Sequence, residues 1–180
     1  VESLDDAVMG FEIDGRSVTP QLNEWAEKGN YLRVQAPKRN GSCDSDFALL
    51  FGAHPSQRMA PYRVPGFPFE RALTRSLHQR GLKTSFFPGV NGSFFERRGA
   101  YEKMGFDDLN FREEVISQLH LKDPEWTLRD DQLFELATAK RDHPDRFFEF
   151  TITGTSHSPF RFSLGDHQRQ FFADDFDRQL

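Results

Sequence analysis

Helical patterns alternate with short apolar strand runs along this chain, and that alternation most constrains what it can fold into. Thr19-Pro20 opens a helix over Gln21 to Lys28. Thr19 can cap it, Pro20 suits the first helical position because no partner awaits its missing N–H, and Gly29 can end it. Leu22, Trp25 and Ala26 share one face. Tyr31 to Ala36 reads as a short strand, and Phe47 to Phe51 as an apolar helical run stopped by Gly52 and Pro55. Pro55 to Pro68, with four prolines and one glycine, reads as a surface loop. Phe69 to Gln79 is the clearest amphipathic helix, with Ala72, Leu73, Ser76 and Leu77 inward and Gly81 as its C-cap.

Leu82 to Phe87 then reads as a buried strand, and Phe94 to Met104 as a helix ending at Gly105. Asp107 to Arg129 is polar and irregular. Asp130 or Asp131 caps a helix through Lys140, and Phe147 to Thr153 alternates apolar and β-branched residues as a strand does. This order predicts a mostly parallel α/β sheet covered by helices on both faces. In such sheets chemistry gathers at the carboxyl ends of the strands.

Composition narrows the function. The 180 residues hold 20 Phe against 3 Tyr and 2 Trp, and a ring without a polar handle belongs in a core. The net charge is −5 and no basic stripe interleaves with aromatics, which argues against a nucleic-acid partner. No apolar run approaches the about 20 residues that span a bilayer, and no signal peptide is evident. Cys43 is the only cysteine, so no disulfide forms within the chain. Val1 stands where Met would, and Val1-Glu2-Ser3-Leu4 reads like the tail of a strand already under way; the expectation is a fragment or processed chain.

Four places could carry chemistry. Glu2, at the end of that first strand, could ligate a divalent cation, although a solvated surface Glu would look the same. Asn40-Gly41-Ser42-Cys43-Asp44-Ser45-Asp46-Phe47 places a Gly-flanked Ser at the opening of a helix, whose positive end favours anions. Ser42 or Cys43 could attack phosphorus or sulfur, or the segment could be a plain N-cap. A formylglycine site would need Pro two residues after the Cys and Arg two further on, where Ser45 and Phe47 stand. In Asn91-Gly92-Ser93-Phe94-Phe95-Glu96-Arg97-Arg98, Arg97 could clamp a phosphate oxygen with both prongs of its guanidinium. In Thr153-Gly154-Thr155-Ser156-His157-Ser158-Pro159-Phe160, His157 stands past a strand's carboxyl end, where it could donate to a phosphate or leaving-group oxygen.

Taken in order, these segments resemble the lipoteichoic acid synthase and phosphoglycerol transferase branch of the sulfatase (alkaline phosphatase) superfamily. Glu2-Ser3 and Thr19-Pro20-Gln21-Leu22-Asn23 match a strand ending in Glu-Ser and a Thr-Pro-x-Leu-Asn helix start. Gly41 to Phe47 matches a Gly-Lys-Thr-Ser-Asp-x-Glu-Phe nucleophile segment. Gly81-Leu82-Lys83-Thr84 echoes Gly-Tyr-Lys-Thr. Phe94-Phe95-Glu96-Arg97 with Tyr101 and Gly105-Phe106-Asp107 echo Phe-Trp-x-Arg, Met-Tyr and Gly-Phe-Asp. Thr153 to Phe160 echoes Thr-x-x-His-x-Pro-Phe.

The resemblance implies a three-layer α/β/α sandwich present in part, with residues 1–180 as the N-terminal part of one catalytic domain. It implies Ser42 as nucleophile, Glu2 and the Ser42 oxygen as metal ligands, and Arg97 and His157 as binders of the phosphoryl group and the glycerol or leaving group. The metal would be divalent, typically manganese. The activity would be phosphoglycerol transfer from a lipid headgroup to a glycan or polymer hydroxyl, outside the cytoplasm, on a protein anchored in the membrane upstream. Two alternatives stay open: a sulfatase-like or phosphodiester hydrolase, and a non-catalytic headgroup-binding member. Ser42 and Gly41 depart from the usual Thr and Lys, and Asp166-His167 follows too soon after His157 to be the Asp-His pair that completes the metal site.

Overall fold

Phe86 and Phe87 are neighbours on one strand, so their side chains leave opposite faces, and each lands in a different core. The computed structural model describes residues 3–34, 38–121, 126–141 and 146–158. In chain order the elements are β1 (Glu12–Ile13), β2 (Arg16–Ser17), α1 (Pro20–Lys28), α2 (Ser42–Phe51), α3 (Leu73–Gln79), β3 (Lys83–Pro88), α4 (Arg97–Met104), β4 (Asp108–Leu109), α5 (Arg112–Leu119), α6 (Asp130–Ala139) and β5 (Phe147–Ile152). Strand β3 lies between β4 and β5 and runs parallel to both. Its register on β5 is continuous, from Lys83 opposite Phe147 to Pro88 opposite Ile152.

Helices cover both faces, as parallel strands require. On one side Phe86 packs with Cys43, Phe47 and Leu50 of α2, Ala100, Tyr101 and Met104 of α4, and Phe69, Phe106 and Phe111. On the other, Phe87 packs with Val115 of α5, Leu128, and Leu133, Leu136 and Ala137 of α6. The architecture is therefore the expected three-layer α/β/α arrangement around a parallel sheet. Many of the phenylalanines are core: Phe86 is stacked on Tyr101 at 4.1 Å and meets Phe111 edge-on at 5.6 Å.

Several local expectations are corrected. Helix α1 starts at Pro20 as read, but Thr19 does not cap it; its hydroxyl donates to the Val8 carbonyl at 3.1 Å. Asn23 does the stitching, accepting from Gly10 N–H at 3.0 Å and donating to Ser17 Oγ at 2.8 Å. None of α1 is buried, and Trp25 is 70% exposed, so the shared face of Leu22, Trp25 and Ala26 covers no core. Residues 31–34 form no ladder. The proline-rich stretch is not all surface: Ala60, Pro61 and Tyr62 are buried, because proline fixes backbone angles without dictating which face meets water.

The helix expected from Phe69 breaks at Ala72, whose extended backbone separates a turn at Phe69–Arg71 from α3. The break rotates the inward face: Ala72 and Thr74 are buried, while Leu73 and Ser76 are exposed. Thr74 Oγ1 donates to the Met104 carbonyl at 2.7 Å, which satisfies the buried hydroxyl. The stretch read as irregular, Asp107 to Arg129, contains β4 and α5. Strand β4 has two residues, too few to show a period. Helix α6 is capped by Arg129, not by an Asp.

Asp107 shows what one recognised motif does. Its Oδ2 accepts from the Thr84 N–H at 2.8 Å and hydroxyl at 2.9 Å, and Oδ1 meets His78 Nδ1 at 2.8 Å. Partial burial raises its pKa, but these donors outweigh it and the net shift is downward. A lowered folded-state pKa contributes stability above the unfolded value, lost as pH falls through the folded one. Asp107→Ala is expected to cost about 1–3 kcal/mol at neutral pH. The difference from wild type should shrink in urea unfolding series carried below pH 4.

Candidate active site

The first turn of α2 presents Ser42. Gly41 precedes it at φ +91°, and a Cβ there would lie 3.2 Å from the Phe95 ring, so both conformation and space favour glycine. Asp44 folds back over the entry loop and accepts from the N–H groups of Arg39 at 2.7 Å and Asn40 at 2.9 Å. Two adjacent nucleophile candidates are thereby separated. Ser42 is half-buried with its oxygen against Arg97. Cys43 is fully buried, and its thiol donates to the Asn40 carbonyl at 3.3 Å. Burial first, then Asp44, pushes the Cys43 thiol up to about 11, despite the opposing effect of Arg97.

Arg97 opens α4 after an unusual turn: Phe95 and Glu96 both sit in the left-handed region, at φ 57° and 60°. Consecutive left-handed residues that are not glycine cost energy, on the order of 1 kcal/mol or more each. The turn swings Arg97 inward, where it is 1% exposed. Its Nε and Nη2 donate to one oxygen of Asp46 at 3.1 and 2.6 Å, and Nη2 also donates to Ser42 Oγ at 3.3 Å. The Phe95 and Phe94 rings lie 5.2 and 5.9 Å from the guanidinium carbon. Burial would lower the Arg97 pKa, but the Asp46 carboxylate overrides it and holds the guanidinium above its ordinary value. Beneath Asp46, the Tyr101 hydroxyl approaches at 3.5 Å and meets Tyr62 OH at 3.0 Å; burial pushes both phenols well above their usual pKa. Arg98 turns the other way, pairing with Glu113 at 2.7 Å and with Glu114, its guanidinium over Phe111 at 4.5 Å.

His157 follows β5 in a turn pinned by α6. Asp130 Oδ1 accepts from Gly154 N–H at 2.7 Å and Thr155 N–H at 2.9 Å, while Asp130 N–H donates to Thr155 Oγ1 at 2.9 Å. Thr127 wedges between the two strand ends: a Cβ on Gly154 would fall 2.3 Å from its Oγ1, and one on Gly89 would fall 2.5 Å away. The His157 ring meets Trp126 edge-on at 4.8 Å, and Trp126 lies 6.3 Å from Phe94. Ser42 and Arg97 are thus in contact, whereas His157 reaches Arg97 through two aromatic rings.

Glu2 and Asp166-His167 lie outside the described residues. Among the described residues no group of three or more His, Cys, Asp or Glu could hold a metal. A cavity of about 490 Å³ opens on the Arg98 side of α4, between Tyr62, Ser93, Lys103 and Glu113; its lining does not include Ser42, Arg97 or His157. The sequence reading missed Asp46, Tyr101 and Trp126 as neighbours of the site. For Asp46 the signal was its spacing, four residues after Ser42 on one helix, which stacks both on one face.

Comparison with known proteins bears on the family and the fold. The sulfatase family model matches residues 1–178. Two curated Bacillus subtilis relatives cover 98% of the chain: the lipoteichoic acid synthase-like protein YvgJ at 24% identity and lipoteichoic acid synthase 2 at 23%. The chain spans 28% and 27% of their respective lengths. The crystal structure of the lipoteichoic acid synthase LtaP from Listeria monocytogenes superposes with a TM-score of 0.73 at 21% identity, over 93% of this chain and 43% of that one. An alkaline phosphatase superfamily protein from Vibrio parahaemolyticus superposes with a TM-score of 0.58 at 20% identity, over 70% of this chain and 32% of that one. At these identities the superpositions show the fold. The chain belongs to the sulfatase family.

Proposed function

We propose that this chain carries the nucleophile of a metal-dependent phosphoglycerol transferase that works through a covalent Ser42 intermediate. The supporting observation is the pairing of a half-buried Ser42 Oγ with the Arg97 guanidinium at 3.3 Å, beside a Cys43 whose thiol is buried and protonated. The start of α2 adds its positive end toward an anionic substrate.

In the first step the Ser42 proton passes to solvent, the Oγ–P bond forms, and the phosphorus–oxygen bond to the lipid breaks, its oxygen taking up a proton as it leaves. In the second, an acceptor hydroxyl gives up its proton and attacks phosphorus, and the P–Oγ bond breaks to restore Ser42. His157 is the candidate to bind the glycerol or supply the leaving oxygen's proton, with Trp126 fixing the plane of its ring. Manganese, with Glu2 and Ser42 Oγ as ligands, is the cofactor that the resemblance implies; the described residues do not by themselves fit a metal. The donor would be a phospholipid headgroup and the acceptor a glycan or polymer. The work would be done outside the cytoplasm. No helix of the described residues is long and apolar enough to cross a membrane, so anchoring would rest on other segments.

The test is to trap the intermediate. The full-length protein is mixed with phosphatidylglycerol vesicles and Mn²⁺, quenched in acid, digested and examined by mass spectrometry. A phosphoglyceryl adduct on Ser42 is expected. An adduct on Cys43, or none on the peptide holding both, sinks the reading. Passage of the group to added water alone, and never to a glycan hydroxyl, would make the enzyme a hydrolase.

A further inference from the structure

We infer that the cavity on the Arg98 side of α4 is a second, non-catalytic site, built for an uncharged saccharide. It stands apart from the Ser42 chemistry and does not depend on it. The observation that carries it is Gly99, which lies inside α4 and lines the cavity. Its φ is not left-handed, so the backbone does not demand glycine. A Cβ there would meet nothing within 4 Å, so no neighbour demands it either. Glycine within a helix is less stable than alanine. The local fold thus gains nothing from Gly99; what its bare α-carbon keeps is room in a cavity of about 490 Å³. That volume falls within the roughly 300–1,000 Å³ of small-molecule sites.

The lining selects the ligand. Tyr62 and Phe69 bring aromatic surface, on which the C–H face of a sugar ring can lie. With them stand two carboxylates, Glu96 and Glu113, and two cations, Arg98 and Lys103. These charges cancel, and Arg98 is already committed to Glu113 and Glu114. A phosphate or other anion therefore finds no surplus of positive charge. A hydroxyl does better, since it can donate to a carboxylate and accept from an ammonium. Arg63 occupies one oxygen of Glu96 at 3.2 Å, and a carboxylate offers about four acceptor positions. The turn through Phe95 and Glu96 serves both faces of α4. It sends Arg97 into the buried pair with Asp46 and leaves Glu96 exposed beside the cavity. Aromatic surface, two carboxylates and an ammonium around one small cavity match a hydroxyl-rich ring without net charge.

The experiment is saturation-transfer NMR on the full-length protein with the methyl glycosides of glucose, galactose and N-acetylglucosamine, and with cellobiose. Transfer to the ring protons of at least one of these sugars is expected, with a millimolar Kd. Gly99→Leu fills the cavity without touching its walls, and is expected to abolish the transfer while the midpoint of thermal unfolding does not fall. Glu96→Gln removes one charge and is expected to weaken the Kd at least about fivefold. If Gly99→Leu does not fold, Glu96→Gln alone decides. Absence of transfer to all four sugars overturns the inference, as does transfer undiminished in the deciding variant. So does binding of sn-glycerol 3-phosphate that Gly99→Leu removes while no sugar is affected, which would make the cavity an anion site. Adduct formation on Ser42 is a separate measurement, so failure of this site and failure of the nucleophile are told apart.

Discussion

Ser42→Ala is expected to lower phosphoglycerol release from a lipid donor by at least about 10³-fold in the full-length protein with Mn²⁺ present, measured as glycerophosphate or transferred product over time. The loss should be chemical rather than structural. Ser42 is half-buried, sits at a helix start rather than in the core, and makes one long hydrogen bond, to Arg97 at 3.3 Å. Its replacement leaves Asp46 and Arg97 paired, so the midpoint of thermal unfolding should stay within about 2 °C of wild type. The neighbouring thiol cannot take over. Cys43 is 0% exposed and its thiol is pushed up to about 11, so the fraction of thiolate at neutral pH is negligible. Full turnover by the alanine variant would show that another group is the nucleophile.

Arg97 carries the second large effect, on stability. Arg97→Ala leaves the Asp46 carboxylate buried without its cation, and Asp46→Ala does the reverse. Breaking a buried pair in this way costs about 3–5 kcal/mol. Removing both partners with apolar residues of similar volume, as in Asp46→Leu with Arg97→Met, should restore most of that loss, because no charge then remains unpaired. Urea unfolding of the wild type, Asp46→Leu, Arg97→Met and the double variant gives the coupling energy directly. A coupling under about 0.5 kcal/mol would show that water, not Asp46, satisfies Arg97 in solution. The double variant should be stable yet slow, which separates the two contributions of this pair.

The fold was legible where the chemistry is local. Leu82 to Phe87 and Phe147 to Thr153 read as strands because apolar and β-branched residues cluster there, and both appear within a residue of those limits. Gly52 and Gly105 end helices as read, each in the left-handed conformation that glycine adopts at low cost. Helix α5 was not legible: Arg112 and Asn110 are buried in its approach, and two buried polar residues mask the apolar pattern. The turn before Arg97 was not legible either, since nothing in Phe95 or Glu96 announces a left-handed backbone. Within the site, ordered motifs singled out Ser42 and Arg97, which the fold brings into hydrogen-bond contact, and His157, which it sets against Trp126 instead. The spacing of Asp46 puts it on the face of Ser42, but its pairing with Arg97 was not legible, because that partner lies 51 residues away and only packing brings them together. Trp126 was hidden in a polar stretch; its contact with His157 arises from the turn that Asp130 organises.

The wedge of Thr127 has a mechanical meaning. Its hydroxyl stands where a Cβ on either of the two glycines after the parallel strands would fall, so it works as a spacer shim of fixed thickness. The loop leading to Arg97 hangs from one strand and the turn bearing His157 from the other. Close-packed interiors transmit displacement rather than absorbing it. A larger residue at either glycine would collide with the same threonine, so a substitution after one strand would disturb the supports of both arms.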